Sequence, residues 1–182
     1  MKSFLLSLSL LLTLQAISQE KFITKSGLVA FEASVPSFEE IKAKNNKVTA
    51  VLKTDTGKIA VLALVQGFRF KIALMEEHFN ESYAESEQYP KTIFLGKIID
   101  FSKEKFTNEE AVAVILEGDF TFHGETKQIR IPATMRYKDT HYVLSANFSL
   151  TAANYKIDIP KIVRNKIAED IAVQLFFELY KK

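Results

Sequence analysis

Val112-Ala113-Val114-Ile115-Leu116-Glu117-Gly118-Asp119-Phe120-Thr121-Phe122 runs through His123-Gly124-Glu125 into Thr126-Lys127-Gln128-Ile129-Arg130-Ile131-Pro132-Ala133-Thr134-Met135-Arg136-Tyr137. In the first arm Val112, Val114, Leu116, Phe120 and Phe122 take the even positions, with Glu117, Asp119 and Thr121 between the later ones. In the second arm Ile129, Ile131, Ala133, Met135 and Tyr137 oppose Gln128, Arg130, Thr134 and Arg136. Successive side chains of a strand point to opposite faces, so each arm reads as a strand with one buried side. The turn at His123-Gly124 makes the pair a long β-hairpin.

Working outward, Lys138-Asp139-Thr140 makes the next reversal, and Tyr142, Leu144, Ala146, Phe148 and Leu150 then alternate with His141, Ser145, Asn147 and Ser149. This gives a three-stranded meander in which His141 is expected on the outer, exposed face. A last strand is predicted over about Ile167 to Leu179, with Ile167, Ile171, Val173, Leu175, Phe177 and Leu179 inward. Earlier strands are predicted near Gly27 to Val35, Lys47 to Lys53, Lys58 to Val65 and Thr92 to Phe101, with Thr54-Asp55-Thr56-Gly57 as a turn. Eight antiparallel strands joined mostly by short turns remove their edges best by closing on themselves. The fold class is therefore all-β, an eight-stranded antiparallel barrel, wide enough to be filled by side chains or to hold one small ligand.

One stretch departs from alternation. Phe68, Ile72, Met75 and Phe79 recur at helical spacing beside Glu76, Glu77 and Asn80, which predicts a short amphipathic helix. Inserted between strands, it is expected to cover one end of the barrel.

The first 18 residues read as an address. Lys2, the apolar run Phe4 to Leu14 and the small residues Ala16 and Ser18 describe a secretory signal peptide cut before Gln19. Residues 19–182 are then one domain of ordinary size. The expected product is periplasmic or extracellular and has no stable membrane anchor, because no second spanning run follows and no cysteine is present to carry a lipid. Without Lys2, 23 of the 24 Lys and Arg remain against 22 Asp and Glu. That near-neutral, interleaved balance is unlike the clustered basic face of a nucleic-acid binder. Lys161, Arg164 and Lys166 form the densest basic group and read as a solvated loop.

Catalytic signatures are missing. The glycines at 27, 57, 67, 96, 118 and 124 do not have the spacing of a phosphate cradle, and no serine lies in a G-x-S-x-G elbow. The histidines at 78, 123 and 141 form no metal-binding pair; His78 lies among acids that read as a solvated helix and loop. His123 reads as a brace for its turn. No nucleophile, base and orienting group can be assembled, so the chain is read as a non-enzyme with no required cofactor and no metal. The composition does hold 15 Phe and no Trp. Phe and branched aliphatics at inward positions describe either a filled core or a cavity for a long hydrocarbon.

Glu117-Gly118-Asp119-Phe120-Thr121-Phe122-His123-Gly124-Glu125-Thr126-Lys127 resembles the pattern G-D-L-T-[LI]-H-G-x-T-[KR] of the YceI-like family. His78-Phe79-Asn80 with Tyr89-Pro90-Lys91-Thr92-Ile93-Phe94, Asn154-Tyr155-Lys156-Ile157 and Ile167-Ala168-Glu169-Asp170-Ile171-Ala172-Val173 follow in the family's order. Two stretches depart from it: Ser26-Gly27 stands where relatives carry His-Ser, and Thr151 to Lys156 replaces D-R-T-D-[FW]-G. The resemblance implies a lipocalin-like barrel with a helix from about Phe70 to Phe79 at its end. It also implies an apolar lipid ligand, a polyisoprenoid or quinone-type chain.

The residues expected to contact such a chain are Phe31, Val48, Leu52, Leu74, Phe79 and Phe94 in the first half. In the second half they are Val112, Val114, Leu116, Phe120, Ile129, Ile131, Leu144, Phe148, Val173, Leu175 and Phe177. The other reading is a filled barrel serving as a structural or interaction module, accessory to a membrane redox or stress-response system. A homodimer is compatible with either.

Overall fold

The computed structural model describes residues 20–107 and 109–182; the expected signal peptide, residues 1–18, lies outside them. The strands are β1 (Lys21–Ser34), β2 (Lys42–Lys53), β3 (Lys58–Leu64), β4 (Arg69–Phe70), β5 (Lys91–Ile98), β6 (Val112–Phe122), β7 (Glu125–Lys138), β8 (His141–Thr151) and β9 (Ile167–Lys181). Helix α1 (Ala73–His78) precedes β5 and continues into one π-helical turn, Phe79–Tyr83. The sheet order is β1-β9-β8-β7-β6-β5-β3-β2, and β2 pairs back onto β1. Eight long strands thus close into an antiparallel barrel, while two-residue β4 only borders the start of β2.

All eight predicted strands are present, but two begin earlier than alternation of apolar residues indicates. In β1, Phe22 and Thr24 point inward before register shifts around Gly27 change the phase. A side chain at Gly27 would meet the ring of Phe177 at 2.5 Å, so the bare glycine is what lets that phenylalanine cross the barrel. In β2 the polar run Lys42 to Lys47 conceals an inward Asn45, buried to 1% exposure. Its Nδ2 donates to Leu64 O at 3.0 Å and its Oδ1 accepts from Lys47 N at 2.9 Å, which removes the penalty for burying the amide.

The helix also departs from expectation. Phe68 and Phe70 belong to extended backbone, and the helix begins only at Ala73. Glu76 folds back over its start, accepting from Phe70 N at 3.1 Å and pairing with Arg69 at 2.6 Å. That contact holds the chain extended where the apolar spacing alone reads as helix. Leu74 lands on the outer side of α1 and is 57% exposed. His141, expected in solvent, is buried: its ring stacks on Tyr180 at 4.6 Å, and Nε2 lies 3.8 Å from Glu178 Oε1. Cross-strand pairing of His141 with Tyr180 supplies the covering surface that sequence alternation does not register.

The two ends of the barrel are built differently. One carries the 54–57 and 139–140 turns, the 99–111 connection and the start of β1 beside the end of β9. It is plugged by aromatic rings: Tyr142 meets Phe22 at 4.8 Å, Tyr137 at 4.7 Å and Phe106 at 5.8 Å. Burial pushes the Tyr142 hydroxyl up to about 12. The other end carries the 35–41 loop, α1, the His123-Gly124 turn and the 152–166 connection. Here the wall is incomplete. β8 pairs with β7 only from Lys138↔His141 to Ala133↔Ala146, so Asn147 to Thr151 bond to β9 alone. Pro132, which has no N–H to donate, stands where that ladder stops.

Candidate functional site

Above the aromatic plug the barrel opens into a cavity of about 530 Å³, within the roughly 300–1,000 Å³ typical of small-molecule sites. Its floor is set by Val29, Val61, Phe94, Leu116, Ile131 and Phe177, contributed by six different strands. Its walls carry two aromatic groups. Phe31 packs on Phe68, Phe70 and Phe79 at 5.3, 5.7 and 5.3 Å. Tyr155 meets Phe120 at 5.4 Å and Phe122 at 6.2 Å. Tilted and edge-to-face contacts of this kind fix ring positions beyond what area burial does.

Of the residues expected to meet a ligand, ten line this cavity: Phe31, Phe79, Phe94, Leu116, Phe120, Ile131, Phe148, Val173, Leu175 and Phe177. Seven do not. Val48, Leu52 and Leu144 have no exposure and lie in the packed core. Val112 and Val114 sit on the plugged half of β6, and Ile129 packs against the core without reaching the cavity. Leu74 faces outward.

Lining residues that the reading missed include Phe38 and Ile41 of the 35–41 loop, Phe68, Phe70 and Met75 around α1, and two larger groups. Val29, Ala33, Val61, Ala63, Phe122, Leu150 and Ile171 are cavity-facing strand positions, and following alternation along the whole of each strand finds them. Tyr155, Ile157, Ile159 and Val163 come from the 152–166 connection, whose 3-10 turn and irregular backbone carry no period to read.

Polar groups collect at the mouth. Glu39, His78 and Lys166 are exposed there, and Tyr83 and Thr92 lie nearby in the lining. Burial pushes the hydroxyls of Tyr83 and Tyr155 above their usual value. Deeper down the wall is hydrocarbon, suited to an apolar chain and without a charge to anchor a polar one.

The hairpin turn holds the rim together. His123 Nδ1 is 2.9 Å from Tyr155 O, and Nε2 is 2.6 Å from Glu85 Oε2. Tyr89 stands edge-on to the imidazole at 4.6 Å. At Gly124 φ is +73°, and an added Cβ would lie 2.6 Å from the Tyr89 ring, so both conformation and space require glycine. This turn ties the segment after α1 to the 152–155 turn. Glu85 is engaged by His123 and Glu76 by Arg69. Among the described residues no three His, Asp or Glu converge as metal ligands. No helix among them is long and apolar enough to cross a membrane.

The model of the YceI-like domain family matches residues 21–179. No curated protein matches the sequence. Among solved structures, a polyisoprenoid binding domain from Saccharophagus degradans superposes with a TM-score of 0.77 at 12% identity, covering 89% of this chain and 98% of that one. Burkholderia cenocepacia BcnA gives 0.69 at 12% identity, with 84% and 95% covered. The Campylobacter jejuni YCEI protein gives 0.61 at 16% identity, with 81% and 88% covered. At these identities the likeness is one of fold.

Proposed function

The chain belongs to the YceI-like family, and from that premise we propose that it is a binding protein holding a long apolar lipid of polyisoprenoid or quinone type inside its barrel. The observation that carries this reading is the apolar cavity of about 530 Å³ above a plugged floor. A filled barrel serving only as an interaction module would not keep a void many times the volume of a water. Burial of the chain against Phe31, Phe120 and Phe148 supplies the affinity, at about 25 cal/mol per Å² removed from water. Such binding selects for length and flexibility more than for chemistry, and the head group is left at the mouth beside His78, Tyr83 and Lys166. The barrel performs no reaction on its cargo. It acts outside the cytoplasm, as the character of residues 1–18 implies.

The test is native mass spectrometry of protein purified without harsh detergent, followed by titration with a polyprenyl lipid. One lipid per barrel is expected. Recovery of bare protein that takes up no added lipid refutes the proposal.

A further inference from the structure

The cavity mouth is rimmed by segments whose outer surface is not what a solvated loop requires. On the 152–166 connection, Val163 and Lys166 line the cavity, while the neighbouring Ile162 turns away from it and is 85% exposed. On the 35–41 loop Phe38 lines the mouth yet remains 44% exposed. The two loops are neighbours, since Ser34 at the end of β1 pairs with Ile167 at the start of β9. Around Ile162 stand Lys161, Arg164 and Lys166, all exposed, whereas Phe38 is followed by the exposed acids Glu39 and Glu40. Arg164 only approaches Asp158, at 4.0 Å, and neither Lys161 nor Lys166 has an ion pair among the described residues. The α1 side of the mouth is opposite in character, carrying Glu77, Glu81 and Glu87 on its exposed surface.

We infer that the 156–166 connection docks this barrel, mouth down and tilted, on an anionic lipid bilayer. An exposed apolar side chain flanked by Lys161 and Lys166, which have no acidic partner among the described residues, matches a headgroup layer, where the apolar tip enters the acyl boundary and the cations meet lipid phosphates. A protein partner would cover Ile162 but gives no reason for these two lysines to be left unpaired beside it. The tilt follows from charge, because the acidic α1 side and Glu39-Glu40 are repelled by the same surface. In this pose Ile162 enters the membrane at the lip of the cavity, and an apolar chain can pass from bilayer to barrel without crossing water. The stretch of β8 that has no β7 partner, Asn147 to Thr151, leads into this connection, so the wall is most easily parted on the docked side.

Docking is separable from cargo binding, since Lys161 and Ile162 do not line the cavity. Full-length secreted protein is sedimented with vesicles of phosphatidylcholine alone and with vesicles containing about one-third phosphatidylglycerol, at low and high salt. Binding is expected only to the anionic vesicles and is expected to fall with salt. Lys161→Gln weakens it about fivefold; Ile162→Asp weakens it about tenfold or more. Lys138→Gln, at the plugged end, leaves it unchanged. Melting temperatures of all three variants stay at the parent value because the side chains are exposed. Equal binding to both vesicle types, no binding to either, or Ile162→Asp binding like the parent overturns the inference. Uptake of polyprenyl lipid from detergent solution by Ile162→Asp stays normal if the cargo reading holds. Loss of uptake by the parent protein sinks that reading and leaves the vesicle result standing.

Discussion

Glu20 joins several segments at the plugged end of the barrel. Its carboxylate pairs with Lys103 and Lys181, while its backbone oxygen accepts from Thr54 N at 3.2 Å. The start of β1, the end of β9 and the connections after β2 and β5 therefore meet at one residue. The hydrogen bond from Lys103, followed by that from Lys181, holds this carboxyl down to about 2, from a usual 4.5. A depressed folded-state value means that the contribution is complete above the unfolded-state value and disappears as the carboxylate is protonated. Stability should thus fall as pH drops from about 4.5 toward 2. Both lysines remain in water, so the pairs are screened, and Glu20→Gln is expected to cost only about 1 kcal/mol at neutral pH. Denaturant midpoints for parent and variant should converge as the pH approaches 2. A constant gap across that range would show that the carboxylate charge contributes nothing.

At the scale of elements, β9 passes through both regimes of the barrel. Phe177 is fully buried, meets Gly27 and forms part of the cavity floor. Phe148 on β8 is only partly buried and lines the wall beyond the last β7–β8 pair. Phe177→Ala should therefore cost the lipid-free protein about 3–5 kcal/mol, as core deletions do. Phe148→Ala, with fewer protein neighbours to lose, should cost about 1–2 kcal/mol while weakening lipid retention more. Phe176→Ala on the outer face, 41% exposed, is the control, expected within about 0.5 kcal/mol of the parent. Equal destabilisation at Phe148 and Phe177, with lipid retention unchanged, would mean that the open half is an ordinary core. The elements themselves were largely legible. Period-two runs such as Val112–Phe122 and Tyr142–Leu150 need only local sequence to declare a buried face. The start of α1 was not, because it depends on Glu76 reaching back to Phe70 N, and the beginning of β2 was not, because burial of Asn45 depends on a bond to the distant Leu64 backbone.

For the whole molecule, alternation tells which residues face inward but is silent about depth along the barrel axis. Leu144 and Phe148 have the same phase on β8; one lies in the packed core and the other on the cavity wall. What separates them is the end of the β7–β8 ladder and the aromatic plug, both products of pairing between distant strands. The barrel should accordingly have two stabilities. Amides of β8 and β9 near Tyr142 and Leu179 are paired on closed ladders over buried rings, and they should exchange with solvent only when the whole chain unfolds. Amides of α1, the 152–155 turn and the last residues of β8 rest on an unfilled cavity, and they should open locally at lower free energy. A ligand that binds only the native state stabilises what it touches by mass action. Hydrogen exchange before and after loading with polyprenyl lipid should therefore show slowing centred on α1, Phe148 to Thr151 and the 152–166 connection. Protection around Tyr142 should rise only as far as global stability rises. Slowing spread evenly over both halves, or confined to the plugged end, would contradict a cavity that is the seat of binding and the weaker half of the fold.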